Sequence, residues 1–360
     1  MAVSKRAKSL YMSFFEKPEI FAANLISNLQ ERSYLRKYLK KDTALTKDQI
    51  QQINEFWKPY CKVSPKWALY YSSMNGKFDS RYIPNDLYYT KIDQHFNSRK
   101  LGYGFNDKNY YSKIFAGIKQ PEVLVRKINS LIFDAEYRQL TCEQARDIIM
   151  AEDEVICKPS QETGSGRGIA FFKKNDTQKV EEFLKDPTYD DYIVQKLIKQ
   201  HPDIEKIHPE SVNSVRICSL LMDDGVHILS SCLRMGTGDS RVDNVTAGGI
   251  SAGIHPSGEL DRFAYTYYTG EHSKSHPSSG IVYEGFKIPS YDKAVELVKK
   301  AAPLIGHFRL VFWDIAIDDQ GDAVLIEANM RKGGINLHQF DNGPLFGDLT
   351  ERVLDEVFGK

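Results

Sequence analysis

Residues 312–330, FWDIAIDDQGDAVLIEANM, constrain the fold more than any other stretch of the chain. Two apolar runs flank Gln320-Gly321, a turn signal, and read as the strands of a hairpin. Yet Asp314, Glu327 and Asn329 stand inside those runs, where a buried charge is costly unless it has a partner. With a two-residue turn centred on Gln320-Gly321, Asp314 falls opposite Glu327, Ile315 opposite Ile326 and Ile317 opposite Val324. Side chains alternate between the two faces of a strand. One face then carries Trp313, Ile315, Ile317, Val324, Ile326 and Ala328 as a core surface, and the other gathers Asp314, Glu327 and Asn329. Like charges directly opposite each other on a sheet repel. Either an Arg or Lys side chain answers them, or a bound cation does. Mg²⁺ suits such a place because it prefers hard oxygen ligands, a few carboxylates together with phosphates.

The second feature is ICKPSQETGSGRGIAFF, residues 156–172. A strand carrying Lys158 runs into small and polar residues, and a strand resumes after Gly168. Gly164, Gly166 and Gly168 permit close backbone approach, and freed N–H groups can cradle phosphate oxygens, with Lys158 adding a point charge. There is no GK[ST] and no following helix, so this is not the strand–loop–helix phosphate loop. It joins two strands, so it is not a dinucleotide fingerprint either. A flexible hairpin tip is the alternative reading. The lysine at its base and the carboxylate–amide set far downstream favour phosphate.

A chain of 360 residues is long enough for two or three lobes. Lysine plus arginine and aspartate plus glutamate both number 48, so the net charge is zero; no basic block or aromatic signature points to nucleic acid. No apolar run approaches the roughly 18 residues of a membrane span. The start, MAVSKRAKSLYMSFF, places Lys5, Arg6 and Lys8 ahead of Leu10, Tyr11, Met12, Phe14 and Phe15. An exposed amphipathic helix is the expected reading, and contact with an anionic membrane surface the alternative. Five scattered cysteines without CxxC read as reduced thiols in a cytoplasmic protein. His272 and His276, the closest histidine pair, fall in a Ser/Pro/Gly-rich stretch that reads as a solvated loop, with a metal pair the alternative.

Residues 1–75 are mostly helical in pattern, with a capping box at Thr46-Gln49; another at Thr141-Gln144 opens a later helix. A helix is expected from about Asp107 to Ile118. Strand pairs flank Asn129-Ser130, Asp223-Asp224-Gly225 and Pro256-Gly258. Hairpins mixed with helices, without an alternating βαβ series, indicate an α+β fold.

Lys158 with TGSGRG, then QKLI, then D…E-x-N on a late hairpin resembles the ATP-grasp superfamily. QKLIKQHPDIEKIHPESVNSVRICSLL, LRMGTGDSRVDNVTAGGISAGI, VYEGFKIPSYDKAVELVKKA and RLVFWDIAID…VLIEANMRKGGINLHQF are similar to the sugar-transfer-associated ATP-grasp proteins, relatives of teichuronopeptide biosynthesis proteins, over about residues 80–345. The resemblance implies two α+β lobes sandwiching ATP. A helical N-terminal region would span 1–80, a linking segment 81–120, a small lobe with the Gly-rich loop 121–198 and a large lobe with the metal site 199–360.

It also implies roles by position. Lys158 would contact the α/β phosphates, with Gly164, Ser165, Gly166, Arg167 and Gly168 closing over them. Lys108, in NDKNYYSKIF, would be a second phosphate-binding lysine; a solvated helix start is its plainer reading. Gln195, Lys196, Leu197 and Ile198 would form the hinge that meets adenine. Asp314, Glu327 and Asn329 would hold Mg²⁺. Arg216 and Arg234 would reach the transferring phosphoryl group, unless each is spent in a surface ion pair, and Asn213 and Asn244 would share the substrate surface. Two departures stand out. Phe312 occupies the position where many ATP-grasp ligases carry an arginine, and Met330-Arg-Lys-Gly-Gly334 replaces the usual N-x-P-G. The phosphate-stabilising cation must then come from Arg216, Arg234, Arg331 or Lys332.

The expected activity is an ATP-dependent carboxylate–amine ligase working through an acyl-phosphate. Its small-molecule substrates would be a carboxylate and an amine, one of them sugar-linked, in cell-surface polysaccharide or capsule biosynthesis at the cytoplasmic side of the membrane. A kinase acting on a sugar hydroxyl and a non-catalytic nucleotide-binding protein are the alternatives. The helical N-terminal region would supply acceptor contacts or a homo-oligomer interface.

Overall fold

The computed structural model describes residues 43–98, 100–161, 167–267, 269–331 and 333–360, with isolated positions 25, 26, 29, 33 and 37. The basic–aromatic start of the chain, Gly164, Ser165, Gly166 and Lys332 lie outside the described residues.

Two antiparallel sheets organise the chain. The smaller has five strands, β1 (Val123–Ile128), β2 (Leu131–Phe133), β3 (Glu154–Pro159), β4 (Ala170–Lys173) and β5 (Tyr192–Lys196), in the order β2-β1-β5-β3-β4. The larger has seven, β6 (Ser214–Met222), β7 (Gly225–Met235), β8 (Ile250–Ile254), β9 (Leu260–Thr266), β10 (His272–Ser273), β11 (Leu310–Ile317) and β12 (Ala323–Asn329), in the order β10-β9-β8-β7-β6-β11-β12. Local chemistry sets several of the joins. Asn129 and Ser130 take positive φ (48° and 65°) in the tight β1–β2 turn, as such two-residue hairpins require. Asp223-Asp224 closes β6 onto β7, with Met222 facing Gly225.

Among the described residues, helices of seven residues or more are α1 (Lys47–Trp57), α2 (Lys66–Asn75), α3 (Cys142–Met150), α4 (Thr177–Lys185), α5 (Tyr291–Ala301), α6 (Asn336–Asn342) and α7 (Thr350–Phe358). Both expected capping boxes form: Thr46 caps α1 and Thr141 caps α3, each exchanging hydrogen bonds with the Gln three residues on. Helices α3 and α4 cover one face of the small sheet, packing Ala145, Ile149, Val180 and Phe183 on Val155, Cys157, Phe172 and Val194. The alternate residues of β3, Glu154, Ile156 and Lys158, therefore point to the opposite face.

The large sheet is covered on both sides. One face packs on α5 through Ala294, Leu297, Val298 and Ala301. The other receives α1, α2, α6 and α7 in an aromatic core that joins Trp57, Trp67, Tyr70 and Tyr71 to Leu310, Phe312, Phe340 and Leu354. Residues 47–96 are thus built onto the back of the large sheet, and Tyr71 donates its hydroxyl hydrogen bond to Asn336 Oδ1 at 2.9 Å.

Two expectations need correction. Asp314 does face Glu327, but a β-bulge follows, so Ile315 faces Leu325 rather than Ile326, and Ile317 faces Ala323 rather than Val324. The core face accordingly carries Trp313, Ile315, Ile317, Ala323, Leu325 and Ala328. The turn is also wider than two residues. The Asp318 carboxylate accepts from the Gln320 and Asp322 amides (3.1 and 2.8 Å), which folds residues 318–322 into one loop. The expected helix over 107–118 is instead a 3₁₀ turn at Lys108–Tyr110 and a short helix at Tyr111–Ile114. Gly117 then turns the chain at φ 80°, and Gln120 Nε2 gathers the freed carbonyls of Tyr111, Phe115 and Ile118.

Candidate active site

The site is built on three neighbouring strands. On β11, Asp314 pairs laterally with Arg216 of β6 on one side and Glu327 of β12 on the other. Arg216 Nη1 donates to both Asp314 oxygens, at 2.8 and 3.0 Å, and Arg234 Nη1 of β7 stands 3.5 Å away. Asn329 Nδ2 donates to Asp314 Oδ2 at 3.3 Å and to the Phe312 carbonyl at 3.2 Å, which turns its Oδ1 away from Asp314. The face that gathers Asp314, Glu327 and Asn329 in the sequence reading therefore holds them together, with Arg216 and Arg234 beside them.

The opposing charges come from across the lobes. Lys108 Nζ lies 2.5 Å from Glu327 Oε1, and its backbone N–H donates to Ser160 O of the small lobe at 2.8 Å. The adjacent Asn109 bonds to the Lys127 carbonyl, and Tyr111 OH both donates to Ala328 O and accepts from Ala328 N–H. The 108–111 segment thus bridges small lobe and metal-shelf strand. Burial pushes the Lys158 amine down to about 8; Lys108 adds to the shift and Glu327 partly offsets it. Burial pushes the Glu327 carboxyl up, but Lys108, Lys158 and Arg216 outweigh it and hold the group below the ordinary glutamate value. Lys108, Lys158 and Glu327 therefore share one electrostatic site, although 108, 158 and 327 come from three separate segments.

The remaining sequence candidates divide. Gln195 is buried on β5, with Nε2 3.5 Å from the Pro121 carbonyl and Oε1 lacking a partner among the described residues. Lys196 is held by Glu122 (2.9 Å) and Glu152 (3.1 Å), and half-buried Leu197 and Ile198 continue the chain away from the sheet. Gly168, at φ 82°, is required locally, because a Cβ there would meet Pro159 Cγ at 2.9 Å; Arg167 beside it is exposed. Arg331 is half-buried and lies against Gly102. Asn213 is spent elsewhere: its Nδ2 donates to Gln200 Oε1 and the Ile204 and His208 carbonyls. Asn244 caps the 3₁₀ turn at Val245–Ala247.

Three participants escaped the sequence reading. Asp243, the neighbour of Asn244, receives Arg234 Nη2 at 3.1 Å and holds the Ser214 hydroxyl. His338 sits fully buried against the Phe312 ring, accepting or donating at 2.6 Å with Ser230 Oγ; burial, then Arg216 and Arg234, keep it neutral well below the usual histidine range. Arg241 reaches from the β7–β8 loop to the small lobe, making paired bonds to Glu154 (2.9 and 3.0 Å) with its guanidinium 3.6 Å over the Phe171 ring. No local sequence signal marks these pairs, since each joins residues distant in the chain.

Asp314, Glu327 and Asn329 carry the hard oxygen donors that a small cation such as Mg²⁺ prefers, but here Arg216 occupies both Asp314 oxygens and Lys108 the Glu327 carboxylate, so a cation would have to displace these partners. Among the described residues, no helix is long and apolar enough to cross a membrane. No curated protein sequence matches this chain. Among solved structures it is similar to the ATP-grasp ligase PsnB complexed with precursor peptide PsnA2 and AMPPNP, at 15% identity and TM-score 0.42, over 73% of this chain and 62% of that one. It is similar to an L-amino acid ligase from Bacillus licheniformis, at 15% identity and TM-score 0.41, over 70% and 47%. It is similar also to the VanG D-Ala:D-Ser ligase from Enterococcus faecalis, at 18% identity and TM-score 0.41, over 71% and 61%. The chain thus spans less than two thirds of the length of each of these proteins. The model of the sugar-transfer associated ATP-grasp family matches residues 88–353, which takes in both sheets and the whole Lys108–Lys158–Asp314–Glu327 cluster, and the chain belongs to that family.

Proposed function

We propose that the protein is an ATP-dependent ligase that joins a carboxylate to an amine through an acyl-phosphate, one substrate being sugar-linked. The observation that supports this most is the Lys108–Glu327 ion pair beside the Arg216–Asp314 pair, with buried Lys158 on the facing side of β3. Such a cluster sets three cations against two carboxylates, and the surplus positive charge is ready to meet a phosphate. Asp314, Glu327 and Asn329 would hold Mg²⁺, which would supply charge neutralisation for the ATP phosphates.

The chain's own groups do the rest. Lys158 and Lys108 bring positive charge from the small lobe and the bridging segment, and Arg216 and Arg234 bring it from the large sheet. Both arginines are held in place, Arg216 by Asp314 and Arg234 by Asp243, so their guanidinium groups are preorganised rather than mobile. The substrate carboxylate oxygen attacks the γ-phosphorus, the bond to the β-phosphate oxygen breaks, and ADP leaves with that electron pair. The amine then attacks the acyl carbon, inorganic phosphate departs with the C–O electron pair, and the amine proton passes to solvent or a nearby carboxylate. Phosphoryl transfer of this kind is mostly positioning and charge stabilisation, so no serine or cysteine nucleophile is required.

The family description supports a sugar-linked substrate, and cell-surface polysaccharide assembly on the cytoplasmic side, where ATP is supplied, is the setting proposed with it. The test is ATP consumption by the purified protein with uronic acids paired against amino acids, followed by mass spectrometry. A new amide formed with stoichiometric ADP and phosphate supports the reading. A stable phosphorylated sugar without amide identifies a kinase instead, and absence of turnover with every pair counts against catalysis.

A further inference from the structure

Arg126, on β1, is among the largest side chains fully buried in the molecule, at 1% exposure. Its Nη1 donates to the Asn109 carbonyl at 2.6 Å, and its Nη2 to Ser112 Oγ at 3.0 Å and the Ala135 carbonyl at 3.5 Å. The guanidinium lies 4.5 Å from the Tyr137 ring centroid. All its partners are neutral: among the described residues no carboxylate forms an ion pair with it, and its Nε has no hydrogen-bond partner. A buried charge answered only by carbonyls, one hydroxyl and a ring is uncommon, because each unsatisfied donor and the unpaired charge both carry a desolvation cost. Burial correspondingly pulls the Arg126 pKa down, with Tyr137, Asp107 and Glu136 opposing it from a distance.

This arginine forms part of the lining of a cavity of about 300 Å³, open on one side. Phe115, Ile118, Pro121, Val123 and Ala135 make its wall apolar, and Ser112 adds a hydroxyl beside the guanidinium. Glu122 also lines the cavity, but its carboxylate is paired with Lys196 at 2.9 Å. The Gln120 amide group is committed to the three carbonyls it braces. None of Lys108, Lys158, Asp314 or Glu327 lines the cavity, which meets the expected adenine hinge only from behind its edge, through Pro121 beside Gln195 and Glu122 beside Lys196. Its size lies at the lower end of small-molecule sites, which combine apolar walls with a few polar groups.

We propose that this cavity is a second ligand site, which takes a small organic carboxylate with an apolar tail, the carboxylate meeting Arg126 and Ser112 and the tail lying on Phe115, Ile118 and Val123. The site reports to the cleft through one residue: Arg126 holds the Asn109 carbonyl, and the preceding residue, Lys108, holds Glu327. An occupant there is therefore an effector of the bridging segment, and its binding needs no nucleotide.

Isovalerate is the probe, titrated by calorimetry into the full chain without ATP, with isovaleramide and inorganic phosphate as controls. Arg126→Gln also removes the brace on Asn109, so the deciding variant is Ala135→Leu, which fills the cavity and leaves the guanidinium's side-chain partners in place. The expected result is saturable isovalerate binding, at least tenfold weaker in Ala135→Leu and unchanged within twofold in Asp314→Asn. Equal binding of the amide or of phosphate overturns the carboxylate-with-tail assignment. No saturable binding by the unaltered protein, or binding lost in Asp314→Asn and kept in Ala135→Leu, overturns the site itself. The Asp314→Asn arm separates failure here from failure of the ligase reading, because only the latter depends on the cleft.

Discussion

The Phe312 ring lies directly on the backbone of Gly333: a Cβ built at Gly333 would stand 2.0 Å from Phe312 Cδ2. These two positions are also where the sequence departs from the common ATP-grasp ligase pattern, and the structure shows that they are complementary. An aromatic ring in place of a long flexible cation needs a flat surface to lie on, and a glycine provides one. The same ring is packed by His338, 5.0 Å between centroids, and by the Arg216 guanidinium at 5.5 Å. Phe312 therefore supports the arginine that pairs with Asp314.

Gly333→Ala forces that fully buried ring to move. Overpacking of this kind costs about 1–3 kcal/mol. Urea unfolding of Gly333→Ala, Phe312→Leu and the double variant measures it, and the double variant should be more stable than the sum of the singles predicts. Unchanged stability in Gly333→Ala would show that the contact is not as described.

Asp314→Asn and Glu327→Gln should both abolish ATP turnover, with different effects on stability. Asp314 is the buried partner of Arg216, and breaking a buried pair from one side costs about 3–5 kcal/mol. The Glu327 side chain is more exposed than that of Asp314 (23% against 4%), so the cost should be smaller. ADP release and thermal unfolding, measured on the same preparations, separate the two effects. Turnover retained in either folded variant would remove that residue from the metal set.

Much of this site was readable before any coordinates, because its signals are local. Asp314 does face Glu327, as equal distance from Gln320-Gly321 predicts, but only because the bulge offsets the wider turn; Thr46 and Thr141 announce their helices by a four-residue pattern. The bulge at Ile326 leaves no such mark: one extra residue in a strand changes the register of Ile315 and Ile317 without changing the apolar composition of either strand. Asp243 was missed by one position, since the stretch drew attention to Asn244 as an amide while the carboxylate beside it holds Arg234. Arg126 and Arg241 meet partners only through the packing of distant segments, so no spacing rule could place them.

The pH dependence of nucleotide binding should report Lys158. Its amine is pushed down to about 8 in the folded protein, from an ordinary value of 10.5, chiefly by burial. Between these values the unfolded chain binds more protons, so this group makes stability rise with pH across that window; its penalty is fully present below about 8. A phosphate brought to Lys158 favours the charged form and reverses the shift. ATP binding near pH 9 should therefore take up a fraction of a proton, measured by calorimetry in buffers of differing ionisation enthalpy. Lys158→Met should abolish the uptake; uptake that survives this change assigns the proton to another group.

Arg241 should hold the small lobe against the large one. It reaches from the loop after β7 to Glu154 with two parallel hydrogen bonds and covers the Phe171 ring on the cleft side of β4. Both partners are partly exposed, so the ion pair itself contributes only about 0–1 kcal/mol to stability. Its effect lies in geometry, because Glu154 and Lys158 share one face of β3. Arg241→Ala should leave the thermal midpoint within a few degrees, raise hydrogen exchange in β3 and β4, and increase the KM for ATP several-fold with a smaller change in kcat. Arg241→Lys should resemble the alanine variant rather than the native protein, since an ammonium cannot make the paired bonds or lie flat on the ring. Exchange in β3 and β4 that stays at the native rate in both variants would show that the two lobes are held together elsewhere, with the 108–111 bridge the next contact to test.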